Sequence, residues 1–496
     1  MLMNNFDFTQ PQRQSTKGLI LVFLQQSGKM IKSWWPALAY MLIKVGGENK
    51  WQIIGLILGG LALLSLIHSI LFFRSFRFQF DGNQFVLNKG YINRQTLTIP
   101  LERIQNVETN QSVIQKMLNV MGLEIDTAGT KKKELKILAL DGPVAVALAR
   151  QLTSKIDIAN LENEDGEKSI QESEEEIVRL SNFDLLKIGL SQNHLRAALL
   201  LLAFGNQILE QAKDLFADKT EEISNGIGDY LGESQWFLIA IMILAFLFVS
   251  FLFSMIRTLV LFYDLRFLKT KTTYRIVSGL LNRKNTLVPF NKIQQLNWET
   301  GPLKKLFGIY QLNIRQASSD ENARARSIEL PGCLDKHLEI IRQDLFGEQS
   351  PDQQTAIHVH PRYFVRNWMY LGLVPAILAT PLYIFHWYYI AIGVIWIIAM
   401  GLISKLIQRK TYFHINSEQI KCSSGSVAHK MKQMAFHKVQ SVEIQQNIFL
   451  KRRGLTNIKI GNSSGFIRIP FIDINLAKNL QDYLLYYAET SDESWM

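Results

Sequence analysis

His358 and His360 stand one residue apart, and two neighbouring imidazoles can begin a metal site. No third ligand of suitable spacing stands nearby, so a structural or interfacial role is expected for the pair. The stretch 162–176 sets eight carboxylates against one lysine, Lys168. A run of that kind reads as a solvated linker rather than a pair of groups poised for acid–base work. Lys131-Lys132-Lys133 reads as a basic hairpin loop, and Lys451-Arg452-Arg453 as a candidate contact for a membrane or an acidic partner. There is no phosphate-binding Walker loop, Gly-x-Ser-x-Gly elbow, His-Glu-x-x-His helix or dinucleotide fingerprint. No enzyme and no cofactor are expected. The two cysteines, Cys333 and Cys422, are far apart in the chain, which excludes a disulfide framework and a Cys-rich metal site.

A motif without obvious chemistry is more informative, because it returns three times. "PLERIQNVETN" starts at Pro100, "PFNKIQQLNWE" at Pro289 and "AFHKVQSVEIQ" at Ala435. Arg103, Lys292 and Lys438 correspond, as do Ile104, Ile293 and Val439, and Gln105, Gln294 and Gln440. Twelve positions past the Ile/Val stand Lys116, Lys305 and Lys451, and the register runs without a gap to Ile125, Ile314 and Ile460. An ungapped register of that length is one supersecondary unit used three times. The expected role of the motif is architectural: the Gln satisfies backbone groups at a chain reversal and the Ile/Val fills core. The basic residue and the later Lys are compatible with a lipid-phosphate site, against the plainer reading of a solvated charge.

The elements that must position these residues are of two kinds. The 496 residues are 48% hydrophobic, and the excess is concentrated in paired blocks. Residues 51–73, 236–256 and 387–404 are free of Asp, Glu, Lys and Arg, and apolar segments at 33–45, 185–208 and 367–386 precede them. Six transmembrane helices in three hairpins are expected, since about 20 apolar residues cross a hydrocarbon core. Within 185–208 the polar cluster Asn193, His194 and Arg196 needs an account. Snorkelling at a helix end is the ordinary one, and an intramembrane polar site is the alternative. Arg74 and Arg77, then Arg266, Lys269 and Lys271, then Arg409 and Lys410 follow the second helix of each pair, whereas the loop within the second hairpin is acidic. Both termini and the large segments are therefore expected in the cytoplasm. The net charge of +11 then suits an anionic leaflet, and no nucleic acid is called for.

Each repeated unit reads as mostly β. Alternating runs such as "FRFQF", "QFVLNKG" and "INRQTLTIP" are separated by Gly/Asn turns. Each copy closes with an amphipathic helix: from Asp141, from Leu334 and from Asp473. About seven short strands and one helix make a β-sandwich or barrel capped by a helix. The expected order is an amphipathic N-terminal segment 1–33, hairpin 34–73, domain 74–157, acidic linker 158–182, hairpin 183–263, domain 264–346, linker 347–362, hairpin 363–408 and domain 409–490.

With "LERIQNVE", "FNKIQQLNWE" and "FHKVQSVEI", the hairpin–domain order and the preludes "LSNFDLLKIGLSQNHLR" and "HPRYF", the chain resembles the bacterial pleckstrin-homology-like (PH-like) "membrane-flanked domain" family. The likeness is to its YdbT type, in which three such domains alternate with paired membrane helices. The third copy departs most, with Ala435 in place of the proline and Val439 in place of Ile. The resemblance implies the PH fold, hence a multi-pass α-helical membrane protein with three cytoplasmic PH-like domains, and a place in the bacterial inner membrane. It implies no established chemistry. Eukaryotic relatives of the fold bind phosphoinositides through basic residues of the first strand hairpin. Asp81-Gly82-Asn83 and Ser278-Gly279 stand where that hairpin is expected here, so phosphoinositide recognition by that route is not.

Two function classes follow. One is a non-enzymatic scaffold for envelope maintenance or stress resistance, whose partners are the lipid bilayer with its anionic lipids and a protein, for instance a homologous membrane protein. The other is a transporter or lipid-handling device built on the six helices.

Overall fold

The computed structural model describes residues 6–44, 50–127, 135–159, 174–192, 235–316, 327–347, 356–380 and 388–491. Its repeated unit has two antiparallel sheets and a closing helix. In the first unit, β1 (Gln12–Arg13), β2 (Arg77–Asp81), β3 (Gln84–Lys89) and β4 (Gln95–Pro100) form one sheet. The other sheet is β5 (Ile104–Gln111), β6 (Val120–Thr127) and β7 (Leu135–Asp141), closed by the helix Gly142–Ala159. The second unit repeats this with β8 (Glu175–Arg179), β9 (Arg266–Lys269), β10 (Thr273–Ser278) and β11 (Arg283–Pro289). Then follow β12 (Ile293–Thr300), β13 (Tyr310–Gln316), β14 (Ser327–Cys333) and the helix Asp335–Phe346. The third unit has β15 (Ile357–His358), β16 (Tyr412–Ile415), β17 (Gln419–Ser424) and β18 (His429–Ala435). It ends with β19 (Ser441–Gln445), β20 (Leu455–Asn462), β21 (Gly465–Asp473) and the helix Ile474–Thr490.

Alternation along the strands turns one face of each sheet into the core. Phe78, Phe85, Ile104, Ile125 and Leu148 fill the first unit, Phe267, Tyr274, Leu312 and Ile341 the second, and Phe413, Phe436, Ile460 and Leu484 the third. The closing helix contributes through its apolar stripe: Leu480 and Leu484 are buried, each stabilising by about 1.5–3 kcal/mol. Asp473 caps that helix, accepting from the backbone N–H of Asn475 at 2.8 Å.

The boundaries expected from sequence shift at one point in each unit. The first strand of each unit lies before a long apolar helix and the second strand after it, so that helix falls between two paired strands. β8 comes from the segment read as an acidic linker, and β15 from the linker 347–362. β1 and the helix Gly18–Lys44 come from the N-terminal region. The segments on either side close one antiparallel pair, Arg13 with Arg77 and His358 with Tyr412. Ser278-Gly279 therefore opens the turn equivalent to that at Gly90, one turn later than the Asp81–Asn83 turn.

Three helices are long and apolar enough to cross a membrane among the described residues: Gly55–Ser75, Ile243–Phe262 and Tyr389–Lys410. They are the second members of the three expected pairs. In the third pair, the helix Arg362–Trp368 runs through a π turn, Met369–Leu373, before Pro375. The indole N–H of Trp368 donates to the Ile397 carbonyl and that of Trp396 to the Leu371 carbonyl, each at 3.1 Å. The second bond serves the Leu371 carbonyl, whose α-helical partner four residues on would be Pro375, which has no N–H, and the pair ties the two helices together. The cluster Asn193, His194 and Arg196 lies outside the described residues.

Candidate interaction surfaces

The second sheet of each unit continues into the first sheet of the next. Seven strands run in the order β7-β6-β5-β11-β10-β9-β8, and seven more as β14-β13-β12-β18-β17-β16-β15. At the first junction Val107 pairs with Leu287 and Gln111 with Arg283. At the second Leu296 pairs with Gln433 and Thr300 with His429. In repeat numbering these registers are identical. Each junction carries a cross-strand ion pair, Lys284 with Glu108 at 3.0 Å and Lys430 with Glu299 at 3.2 Å.

The repeated motif sits at these junctions, which explains its recurrence. Lys438 is buried and its Nζ donates to the Asn291 carbonyl of the preceding motif at 2.9 Å. Lys292 is buried as well, whereas Arg103, in the unit whose β4 edge is unpaired among the described residues, is exposed. Gln294 is buried, and its backbone carbonyl accepts from the Asn462 side-chain amide of the following unit at 3.1 Å. Gln440, in the unit whose β19 edge is unpaired among the described residues, is exposed. Gln105 lies in β5, the first strand to be joined. Thus the basic side chain of the motif bonds backward along the array and the Gln backbone forward. Neither of the two expected readings of Lys292 and Lys438, a solvated charge or a lipid contact, holds, because both are inside the protein. Ile104, Ile293 and Val439 fill core as expected.

Trp298 lies at the second junction between two cations, the Arg342 guanidinium 5.6 Å and the Lys421 Nζ 5.5 Å from its ring. Burial, with Arg342 close by, brings the Lys421 ammonium down to about 8. Arg342 also donates to Gln433 Oε1 at 3.2 Å. None of these residues stood out in the sequence, since a Trp and a Lys on different units carry no shared pattern.

The second surface lies where the domains meet the membrane helices. The turns after β3, β10 and β17 begin with Gly90, Gly279 and Gly425, all at positive φ. Each turn touches a helix end. Tyr91 Oη lies 2.9 Å from His68 Nδ1, the Leu280 N–H donates to the Val260 carbonyl at 2.9 Å, and Lys410 Nζ donates to the Val427 carbonyl at 3.0 Å. Beside the turns are the short helices that carry the second repeated lysine: Val113–Met117, Pro302–Leu306 and Ile448–Lys451. Lys116 donates to the Leu280 carbonyl at 2.5 Å. At the third turn, burial and then the charges of Lys410, Lys421 and Lys305 hold His429 in its neutral form, below the ordinary histidine range. Leu450 of the third short helix packs with Tyr363 at the entry to the third hairpin. Large apolar side chains point outward here: Ile92 is 85% exposed, Met117 81%, Leu306 77% and Phe449 73%. Exposed apolar residues inside otherwise polar turns were the signal that sequence reading passed over.

The expected leaflet contacts fall into two groups. Arg74, Arg77, Lys271, Arg409, Lys451, Arg452 and Arg453 are exposed. Arg266 is instead held by Asp264, at 2.9 Å, and Lys269 by Asp344 of the closing helix. Lys410 is occupied by the turn carbonyl just described. Those three act within the fold. Cys333 and Cys422 are buried, and burial pushes both thiols up to about 12. Among the described residues no group of three His, Cys, Asp or Glu could hold a metal.

Comparison with known proteins agrees with this repeat. The transmembrane protein YdbT of Bacillus subtilis (strain 168) is 21% identical over 418 residues, 81% of this chain and 82% of its own length. The Bacterial PH domain family matches residues 34–156, 209–339 and 370–488, each match including one of the three long apolar helices and the β-domain after it. With three matches covering most of its length, the chain is a membrane protein that belongs to the Bacterial PH domain family.

Proposed function

We propose that this is a non-enzymatic, multi-pass protein of the bacterial cytoplasmic membrane whose three PH-like domains form a lipid-apposed scaffold for envelope maintenance or stress resistance. Six helices in three hairpins and cytoplasmic termini belong to this reading, supported by the lysines and arginines that follow each second helix. The observation that carries it is the repeated pairing of outward apolar side chains with exposed bases at the helix ends. Ile92, Met117, Leu306 and Phe449 are exposed, as are Lys305 and Lys451-Arg452-Arg453 on the short helices and the turn that follows the third. Amphipathic elements of that composition enter the headgroup region, where each nearby base adds about 1 kcal/mol of attraction to an anionic leaflet.

The test uses the full chain in vesicles of phosphatidylglycerol and phosphatidylethanolamine. Environment-sensitive labels go on Met117→Cys, Leu306→Cys and Phe449→Cys, one at a time, with the buried native thiols as silent background. Blue-shifted emission, quenched by brominated acyl chains, is expected at all three. Labels that report water at every position overturn the lipid contact.

A further inference from the structure

The array has two unused ends of opposite kind. β19 is the counterpart of β5 and β12, both of which pair with a following unit, yet its outer edge has no strand on it among the described residues. β4 is the counterpart of β11 and β18, which pair with a preceding unit, and among the described residues its outer edge is equally open. The motif is half-used at the same two places: Gln440 and Ser441 are exposed where Gln294 and Gln295 are buried, and Arg103 is exposed where Lys292 and Lys438 are buried. Neither strand is lysine-rich or bulged, and the one edge proline, Pro100, stands where β11, which does pair, has Pro289.

From these ends we infer that a second copy of this chain docks its β4 against β19, repeating the internal junction between molecules. Carrying over the shared register pairs Val442 with Thr98, Ile444 with Thr96 and Gln446 with Arg94. Arg103 then lies against the backbone of the His437 turn, as Lys438 does against Asn291. Glu443, the counterpart of Glu108, meets Gln95 where Glu108 meets Lys284. An amide thus replaces an ammonium, and this junction is weaker than the internal ones. Both internal junctions keep the turns that touch the membrane helices on one side, so a third of the same geometry leaves both molecules in one membrane. The contact is head-to-tail rather than two-fold, and it extends into rows. This goes beyond the scaffold reading and stands without its lipid contact.

The test is disulfide trapping of the full chain in native membranes. Two differently tagged chains, one with Thr96→Cys and one with Ile444→Cys, are co-expressed and oxidised. Thr109→Cys with Asn285→Cys in one chain, the equivalent pair of an internal junction, shows that trapping works at this register. A species of two chains' mass carrying both tags is expected, and a ladder when both substitutions share a chain. The off-register pair Thr96→Cys with Glu443→Cys should give neither. With the internal pair trapped, monomer alone, an adduct to a different protein, or a dimer from Thr96→Cys by itself would each overturn the proposal.

Discussion

At the scale of single residues, the motif has the same chemistry in each copy and different neighbours. Lys438→Met keeps the aliphatic stem but leaves the Asn291 carbonyl without its donor, at a cost of about 1–3 kcal/mol. Arg103→Met removes an exposed charge and should change stability by less than about 0.5 kcal/mol. Gln294→Ala and Gln440→Ala should divide in the same way, by thermal unfolding in detergent. Equal shifts in either pair would contradict the junction role. Lys421 supplies a pH test. Its folded value of about 8 lies below the ordinary 10.5, so between those values the unfolded chain binds more protons than the folded one. Stability attributable to this group therefore rises with pH across that window. Lys421→Met should raise the melting temperature at pH 7.5 and reduce the gain between pH 7.5 and 9.5 relative to the unsubstituted chain. An unchanged difference between the two pH values would show that Lys421 does not titrate there.

At the scale of elements, much was legible and the reasons are specific. The strands from Arg77 to Pro100 alternate cleanly, the Gly90 and Gly279 turns break them, and the closing helices show their apolar stripes, so the repeated unit could be read directly. The first strand of each unit could not. β1 and β15 are two residues long, and β8 reads as acidic because its outer positions are solvated. Their strand character comes from partners some 50 or more residues away, beyond any local period. Gly279 tests the turn that seats the second unit on its membrane helix. A Cβ there would lie 2.1 Å from the Asn282 carbonyl oxygen at a φ of +107°. Gly279→Val should destabilise by about 1–3 kcal/mol and speed amide exchange at Leu280, whose N–H bonds the helix end. Unaltered exchange at Leu280 would mean that the turn does not depend on that conformation.

At the scale of the whole molecule, sequence periodicity defined three units but not how they join, because an edge-to-edge pairing needs no residue type that a solvated edge lacks. Only the paired burial of Lys292 and Lys438, and of Gln294 against Gln440, marks the direction of the array. Topology is checked by reporter fusions: after Asn49, at Asn225 and after His386 they should report the outside, and at Gly166 and Gln349 the cytoplasm. A cytoplasmic signal at Asn225 would sink the arrangement of hairpin pairs. The central claim, that the three domains are one continuous structure with two open ends, is tested most directly by hydrogen–deuterium exchange of the full chain as a monomer in detergent. β5, β11, β12 and β18 should be protected as interior strands are, while the outer amides of β4 and β19 exchange fast. Fast exchange at β5 and β11 matching that at β4 would show instead that the domains are separate bodies.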